Sequence, residues 1–222
     1  MAENKISLKV IKLALLGDTT VGKTAICYSM LNLHFAEDLL STIGQEKLET
    51  KFVLKNGTEI KLVLWDTAGQ ERFHSMALKT LKAVQGVIIV FDVSIKKTFQ
   101  SVNSWLNDIK DNLDNPCLVL FGNKIDKDKS EWEVTKEEVE EYAKSMNLEY
   151  FGTSAKTKKG LNEGFSYIVN EAYDRVEIRQ NINLEEKEEE KFETVNGCFG
   201  KKKKRKRKKK DKDKTKDKSK NK

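Results

Sequence analysis

Six segments of alternating or continuous apolar character, rich in Val, Ile and Leu, are interspersed with helical segments, and this alternation constrains the fold more than any other feature of the chain. The predicted strands are Ile6 to Leu16, Lys47 to Leu54, Glu59 to Trp65, Gly86 to Val93, Cys117 to Phe121 and Leu148 to Phe151. The predicted helices are Lys23 to Leu33, Phe99 to Leu113, Thr135 to Met146 and Leu161 to Arg179. Alternating strands and helices need crossover connections, so the sequence predicts an α/β fold whose six-stranded sheet is mostly parallel, with helices on both faces.

Two short signals refine this prediction. Asn56-Gly57 separates the second and third strands, and this dipeptide readily takes the positive φ angles of a tight turn. These two strands are therefore expected to form an antiparallel hairpin. Thr135 and Glu138 have the spacing of a capping box at the start of a helix.

The first predicted strand runs into a segment that fits G-x-x-x-x-G-K-[ST] and opens the first helix. Its residues are Gly17, Asp18, Thr19, Thr20, Val21, Gly22, Lys23 and Thr24. The glycines let backbone N–H groups face phosphates, and the helix N-terminus adds partial positive charge. In such a loop the lysine reaches the β and γ phosphates and the final hydroxyl binds Mg²⁺. A glycine-bearing turn can match so short a pattern by chance, so the context of the motif matters.

A second candidate segment, Trp65-Asp66-Thr67-Ala68-Gly69-Gln70-Glu71, ends the third strand. A carboxylate at that position can hold a metal through water, although an isolated aspartate there is also a common loop cap. Gly69 lets the backbone approach a γ-phosphate, and Gln70 could orient an attacking water. Further along, Asn123-Lys124-Ile125-Asp126 follows the fifth strand and Thr153-Ser154-Ala155-Lys156 follows the sixth. Both loops are expected at the same edge of the sheet as the phosphate loop.

With these motifs in this order, residues 8 to 180 resemble the Ras superfamily of small GTPases, and within it the Rab branch most closely. The stretch from Lys61 to Phe73, KLVLWDTAGQERF, is the most Rab-like. The resemblance implies a P-loop NTPase fold of the small G-domain type. It also implies a guanine-nucleotide switch that hydrolyses GTP to GDP in vesicle traffic, slowly unless an activating protein assists. The alternative is an atypical nuclear or scaffolding small GTPase whose basic tail sets its location and partners.

The resemblance also implies roles for the base-binding loops. Asp126 would accept hydrogen bonds from guanine N1–H and the exocyclic amine, Asn123 would support N7, and the Ala155 amide would contact O6. The stems of Lys124 and Lys156 would flank the base, while adenine would leave a buried carboxylate unpaired. The implied GTP-binding residues are Asp18, Thr19, Thr20, Val21, Gly22, Lys23, Thr24, Ala25, Phe35, Thr42, Asp66, Gly69, Asn123, Lys124, Asp126, Ser154, Ala155 and Lys156.

Switch and catalytic residues follow from the same resemblance. Phe35 matches the aromatic residue that packs on guanine, although on composition alone it could be an ordinary loop phenylalanine. Thr42 matches the threonine that binds Mg²⁺ and the γ-phosphate, which makes Thr24, Thr42 and, through water, Asp66 the implied metal ligands. Gln70 and Lys23 are the implied catalytic residues. A GTPase-activating protein would supply an arginine, and an exchange factor and effectors are the other expected partners of a monomer.

Some positions depart from the Rab pattern. Gln45-Glu46-Lys47 stands where Rabs carry an apolar residue, an acid and phenylalanine, and Thr80-Leu81 replaces a tyrosine pair. Of the three aromatic positions that Rabs offer to effectors, Trp65 remains, so the identity of the effectors cannot be carried over. Thr20 stands where a glycine or another small residue is common, and it fits if its side chain points outward.

The charge of the chain is concentrated near its C-terminus. Residues 201 to 222 hold 16 lysines and arginines against 3 aspartates, a net charge of +13, whereas residues 1 to 200 carry −6. The composition predicts a GTPase domain at 1–180 and a disordered tail at 181–222, with an acidic segment at 185–193 and a polybasic segment at 201–222. The basic run suits an anionic membrane surface, nuclear import or phosphate contacts, and without interleaved aromatics it does not predict specific nucleic-acid reading.

The remaining signals concern compartment. Cys27, Cys117 and Cys198 are widely spaced and lack the histidine pairs of a zinc site, which argues for a reducing compartment. The N-terminal segment does not have the pattern of a secretion signal. Cys198 precedes the basic run rather than forming a terminal prenylation motif, and it is interpreted as a free thiol with palmitoylation as the alternative. These features predict a cytoplasmic protein with peripheral membrane association or nuclear import through the tail.

Overall fold

The structure is a computed structural model that describes residues 8–32, 45–67, 81 and 83–182. It divides the chain into two compact units, Met1–Asp174 and Arg175–Lys222. The domain boundary near residue 180 stays a prediction. None of the helices in the described ranges is long and apolar enough to cross a bilayer.

Six strands and five helices account for the first unit as far as it is described. The strands are β1 (Val10–Leu16), β2 (Gln45–Val53), β3 (Glu59–Thr67), β4 (Gly86–Asp92), β5 (Cys117–Asn123) and β6 (Glu149–Gly152). The helices are α1 (Lys23–Met30), α2 (Lys96–Gln100), α3 (Val102–Asn112), α4 (Lys136–Ser145) and α5 (161–174), with a short 3₁₀ helix at Lys129–Glu131. In the second unit, residues 175–182 are helical.

The strands form one sheet in the order β2-β3-β1-β4-β5-β6. β2 pairs antiparallel with β3, and all the other neighbours pair in parallel. The predicted α/β architecture with one antiparallel hairpin strand is therefore confirmed. Because β1, β4 and β5 are parallel, their carboxyl ends and the loops that follow them meet at one edge of the sheet.

The core lies on both faces of the sheet, which explains why the central strands are apolar throughout. Alternate residues of β1 and β4 face opposite ways, and every residue of β4 is buried. One face packs against α2, α3 and α4 around Phe91, Phe99 and Trp105. On the other face Phe165 of α5 packs edge-on against Phe121 of β5, with ring centroids 5.8 Å apart.

Two local predictions need correction. Thr135 Oγ1 accepts the Glu138 backbone N–H at 3.3 Å, but the Glu138 carboxylate pairs with the Lys96 ammonium instead of completing the capping box. The positive φ in the hairpin turn belongs to Gly57 (82°) and not to Asn56. Asn56 instead accepts the Thr58 N–H on its side chain at 3.0 Å, so the connection is longer than a two-residue turn.

The helix predicted from Phe99 begins three residues earlier, at Lys96, and is interrupted at Ser101. The earlier start follows from Thr98, whose hydroxyl donates to the Ile95 carbonyl at 2.7 Å and accepts the Asp92 N–H at 3.0 Å. This side chain therefore ties the first helical turn to the end of β4.

Candidate functional site

The phosphate loop connects β1 to α1 and depends on two glycines. Gly17 has φ 144° and Gly22 has φ 98°, both in the region that favours glycine. A Cβ atom at Gly17 would lie 2.1 Å from the Val90 carbonyl oxygen, and one at Gly22 would lie 2.4 Å from Asn123 Nδ2. The first contact is with the backbone of the neighbouring strand, so no larger residue fits at Gly17 without moving β4.

Lys23 lies inside this loop. Its side chain is only 5% exposed, and Nζ donates to the carbonyls of Gly17 at 2.8 Å and Asp18 at 2.7 Å. Burial lowers the pKa of Lys23 to about 8, although the negative charges of Asp66 and Asp18 oppose that shift. An ammonium group is therefore enclosed by the backbone of the motif that is predicted to bind phosphate.

Thr24 and Asp66 meet although they come from different motifs. Thr24 Oγ1 donates to Asp66 Oδ2 at 2.6 Å, and Asp66 is fully buried at the end of β3. A hydroxyl and a carboxylate oxygen are hard donors of the kind that Mg²⁺ takes in proteins. These two predicted metal ligands are thus adjacent.

Side chains from the loop after β5 also hold the phosphate loop. Lys124 Nζ donates to the Thr20 carbonyl at 2.7 Å, and Asn123 Nδ2 donates to the Val21 carbonyl at 2.9 Å. Thr20 is exposed and has φ 62°, so its side chain points outward, as the sequence required. The Asn123 and Lys124 side chains therefore shape the phosphate loop directly.

The loop after β6 completes the edge. The Ala155 amide donates to Asn123 Oδ1 at 3.2 Å, and Ser154 Oγ donates to Asp126 Oδ1 at 2.6 Å. The Ser29 hydroxyl of α1 donates to the Ala155 carbonyl and so connects this loop to α1. Asp126 is exposed, so a base would have to cover this carboxylate to remove it from water.

Comparison with known proteins decides the family. The model of the Ras family matches residues 12–174. Ras-related protein Rab-21 of Mus musculus is 38% identical over 155 residues, which are 69% of each chain. Ras-related protein Rab-13 of Bos taurus is 35% identical over 156 residues, which are 70% of this chain and 76% of the relative. The chain belongs to the Ras family. It is a Rab-type small GTPase, an intracellular guanine-nucleotide switch of vesicle traffic that hydrolyses GTP to GDP.

The other predicted site residues of this GTPase differ in burial, and four of them are not among the described residues. Val21 and Ala25 are buried beneath the phosphate loop, whereas Thr19 is half-buried and Lys156 is exposed. Phe35, Thr42, Gly69 and Gln70 lie outside the described residues.

The surface that Rabs offer to effectors has a different character here. Lys47 lies opposite Trp65 in the β2–β3 pairing and forms an ion pair with Glu49 at 2.5 Å. Trp65 is half-buried, and Leu81 is 1% exposed within the core. Charged side chains, rather than an aromatic cluster, therefore form this part of the described surface.

Three residues at the edge were missed by reasoning from sequence. Trp105 Nε1 donates to Asp18 Oδ1 at 2.9 Å, Asp92 faces the Lys124 ammonium at 2.7 Å, and Ser29 holds the Ala155 carbonyl. Asp92 carried a usable signal, because it ends a buried strand just as Asp66 does. Trp105 and Ser29 carried none, since a tryptophan or a serine within a helix is common in any globular domain and no motif surrounds either residue.

Proposed function

We propose that the loops after β1, β3, β5 and β6 form one guanine-nucleotide site with the roles predicted above. What supports this assignment is the convergence of four separate segments on one edge of the sheet, which bring together Lys23, Thr24, Asp66, Asn123, Asp126 and Ser154. In this proposal the edge has a phosphate half, around Lys23, and a base half, around Asp126.

In the phosphate half, Lys23 supplies positive charge and the loop supplies backbone N–H groups. Its ammonium now donates to two carbonyls of the loop, and a β- or γ-phosphate would offer it a stronger, charged acceptor. Thr24 and Asp66 have the oxygen donors to hold Mg²⁺, directly and through water, with Thr42 as the third proposed ligand. Bound Mg²⁺ would neutralise charge on the β and γ oxygens.

In the base half, Asp126 is exposed and has one oxygen engaged by Ser154, so its other oxygen can accept donors from a ligand. Guanine presents N1–H and an exocyclic amine to such a carboxylate, whereas adenine presents neither at those positions. A base lying over Asp126 would remove it from water, and an unmatched adenine would then leave it without partners.

Replacing Asp126 tests this assignment. Asp126→Asn is expected to shift preference from guanine toward xanthine nucleotides, because an amide can donate to the additional xanthine carbonyl. Competition binding of GDP against XDP measures the shift. Asp128→Asn is the matched control, since Asp128 is exposed two residues away and accepts the Ser130 N–H at 2.9 Å. An Asp126→Asn chain that still prefers GDP would contradict the role of this carboxylate.

For hydrolysis, we assign the orientation of water to Gln70 and charge neutralisation to Lys23. An activating protein would add an arginine, which can be worth roughly 10³- to 10⁵-fold in rate. An exchange factor and effectors are the other partners expected of a Rab-type switch. The charged β2–β3 surface around Lys47 and Glu49 means that effectors which recognise an aromatic cluster there are unsuited to this chain.

We further propose that the polybasic segment at 201–222 binds anionic membrane. Its net charge of +13 attracts anionic lipid, and screening limits the range of that attraction to about 8 Å at physiological salt. Unlipidated protein should sediment with phosphatidylserine vesicles at low salt and be released as salt rises. A chain truncated after Gly200, whose net charge is −6, should not sediment, and salt-resistant binding by it would refute the electrostatic account.

A further inference from the structure

Asp92 is a fully buried carboxylate at the carboxyl end of β4 that the functions assigned above do not use. Its Oδ1 atom accepts the Ser94 N–H at 2.9 Å and the Ser94 hydroxyl at 2.7 Å. Its Oδ2 atom lies 2.7 Å from Lys124 Nζ in an ion pair. A buried carboxylate is stable only when it is paired, and here the pairing cation is Lys124.

The same ammonium group contacts the phosphate loop. Lys124 Nζ donates to the Thr20 carbonyl at 2.7 Å, so it bridges the buried carboxylate and the loop. The three residues Asp92, Lys124 and Thr20, which we call the strut, join the end of β4, the loop after β5 and the loop after β1. Since Asp92 pairs with Asn123 in the parallel register of β4 and β5, the fixed end of the strut belongs to the sheet itself.

The strut meets the loop at a strained residue. Thr20 is β-branched and has φ 62°, a conformation that is unfavourable for a residue with a Cβ atom. Strain of this kind persists only where surrounding contacts impose it. The Lys124 hydrogen bond is such a contact, because it engages the carbonyl of the strained residue itself.

Of the two charged members, Asp92 is the one with a fixed position. Its side chain is 1% exposed, whereas that of Lys124 is 30% exposed and has four rotatable bonds. Without the carboxylate, the lysine stem would gain rotamers and its ammonium would spend less time on the Thr20 carbonyl. A neutral asparagine keeps the shape of Asp92 and the Ser94 contacts but loses the charge that holds Lys124.

We propose that Asp92 is a positioning residue for nucleotide retention: it holds Lys124 against the Thr20 carbonyl, keeps the phosphate loop in its strained form and thereby slows nucleotide dissociation. Asp92 acts through Lys124 and has no contact with nucleotide in this scheme. The inference rests on the nucleotide site of the proposed function and adds a residue to it. Lys127 Nζ donates to Ser94 Oγ at 2.8 Å, so a second lysine of the loop after β5 contacts the residue that donates to Asp92.

The test is the dissociation rate of a fluorescent GDP analogue from the full-length protein in Mg²⁺. Asp92→Asn should accelerate dissociation about fivefold, which is less than the full worth of a charge-assisted contact because Asp92 acts on the loop only through Lys124. Asp114→Asn is the matched control, because Asp114 is exposed in the loop before β5, and it should dissociate at the parent rate.

A double-mutant cycle separates positioning from general destabilisation. In a Lys124→Met background, which already lacks the ammonium, Asp92→Asn should add less than about a twofold change. Should Asp92→Asn fail to fold by circular dichroism, Ser94→Ala takes its place, since it removes one donor to Asp92 and leaves the charge. Ser94→Ala should accelerate dissociation to a smaller extent, and this effect should also vanish with Lys124→Met.

The outcomes distinguish this inference from the proposed site. If the parent protein does not bind the GDP analogue, the nucleotide site itself is wrong. If the parent binds and both Asp92→Asn and Ser94→Ala dissociate at its rate, the strut has no role in retention. If the effects of Asp92→Asn and Lys124→Met multiply, Asp92 does not act through Lys124 and the inference is overturned.

Discussion

The edge that carries the nucleotide loops and the β2–β3 hairpin are built from the same charged residue types, and they differ in burial. At the edge, Lys23, Asp66 and Asp92 are each 5% exposed or less. On the hairpin, Lys47 and Glu49 form an ion pair whose side chains are 48% and 37% exposed. Burial makes each charge at the edge depend on a specific partner, while hairpin charges can rely on water.

The consequence is visible in the phosphate loop. The carbonyls of Gly17 and Asp18 accept from Lys23, that of Thr20 accepts from Lys124, and that of Val21 accepts from Asn123. The loop is thereby held by side chains of the protein itself. Preorganisation of this kind lowers the ordering cost of binding, so contacts at the edge should affect nucleotide affinity as well as stability.

By contrast, the ion pairs on the β2–β3 hairpin do not depend on one specific partner. Glu49 contacts both Lys47 and Lys61 at 2.5 Å, and Lys51 contacts Glu59 at 2.8 Å. Exposed pairs of this kind contribute little to stability, because water and salt compete with them. Their charges do suit the edge strand of a sheet, since among the described residues β2 has no neighbour beyond it in the strand order and charged side chains discourage unwanted pairing.

The largest contrast is expected from one substitution made in both regions. Gly22→Ala places a Cβ atom 2.4 Å from Asn123 Nδ2 at φ 98°, and it should cost about 3 kcal/mol in free energy of unfolding. Gly57→Ala meets φ 82° with no atom within 4 Å, so it should cost about 1 kcal/mol. Urea unfolding measures both values.

The two alanine variants should also separate in nucleotide binding. Gly22→Ala is expected to weaken GDP binding because Asn123 must move away from the Val21 carbonyl, while Gly57→Ala should bind as the parent does. Equal losses of GDP affinity in the two variants would break the contrast between the two regions.

A smaller effect is expected from the hydrogen bond between α3 and the phosphate loop. Trp105→Phe keeps most of the buried ring but removes the Nε1–H that donates to Asp18 Oδ1 at 2.9 Å. The loss should destabilise the fold by about 1–2 kcal/mol and accelerate GDP dissociation about threefold.

Tyr142→Phe is the control for Trp105→Phe. It removes a hydrogen bond of the same length, 2.9 Å, from the Tyr142 hydroxyl of α4 to Asn103. Asn103 lies on α3, as Trp105 does, but this contact is exposed. Dissociation of GDP should stay at the parent rate. If Trp105→Phe also leaves dissociation unchanged, α3 has no part in preorganising the loop.

The smallest effect concerns the hairpin. Hydrogen bonds from Lys47 and Lys61 lower the pKa of Glu49 from 4.5 to about 2. The depressed pKa means that the contribution of Glu49 to stability is present above pH 4.5 and is lost as the pH falls toward 2. Lys47→Met should raise this pKa in a carboxyl NMR titration, whereas Lys136→Met, which alters an exposed lysine of α4, should not.

Neither Lys47→Met nor Lys136→Met should change GDP dissociation. A change in dissociation with Lys47→Met would show that the exposed hairpin is coupled to the nucleotide edge, and the two regions would then not be independent.

Local sequence was sufficient for much of the fold. Apolar patterning predicted all six strands within a few residues, because central strands such as β4 are apolar along their length and the edge strand β2 alternates between half-buried and exposed residues over much of its length. It was weaker at helix ends: the start of α2 depends on the contact of Thr98 with Asp92, which no window of sequence displays. The capping box prediction was incomplete for a similar reason, because the Glu138 carboxylate pairs with Lys96, 42 residues away, and not with the backbone at Thr135.

At the site, the sequence by itself determined which chemistry is present: the glycines, the lysine, the hydroxyl and the carboxylates of Asp66 and Asp126. These residue types are legible because each motif is contiguous and its spacing has a local physical reason. Only the tertiary structure decided which side chain holds which carbonyl. Thr20 and Lys124 are 104 residues apart, and Asp18 and Trp105 are 87 apart. The sequence does not show which side chain a given backbone carbonyl will accept from, because every residue has the same carbonyl. The strand order of the sheet decides which side chains lie close enough to donate to it.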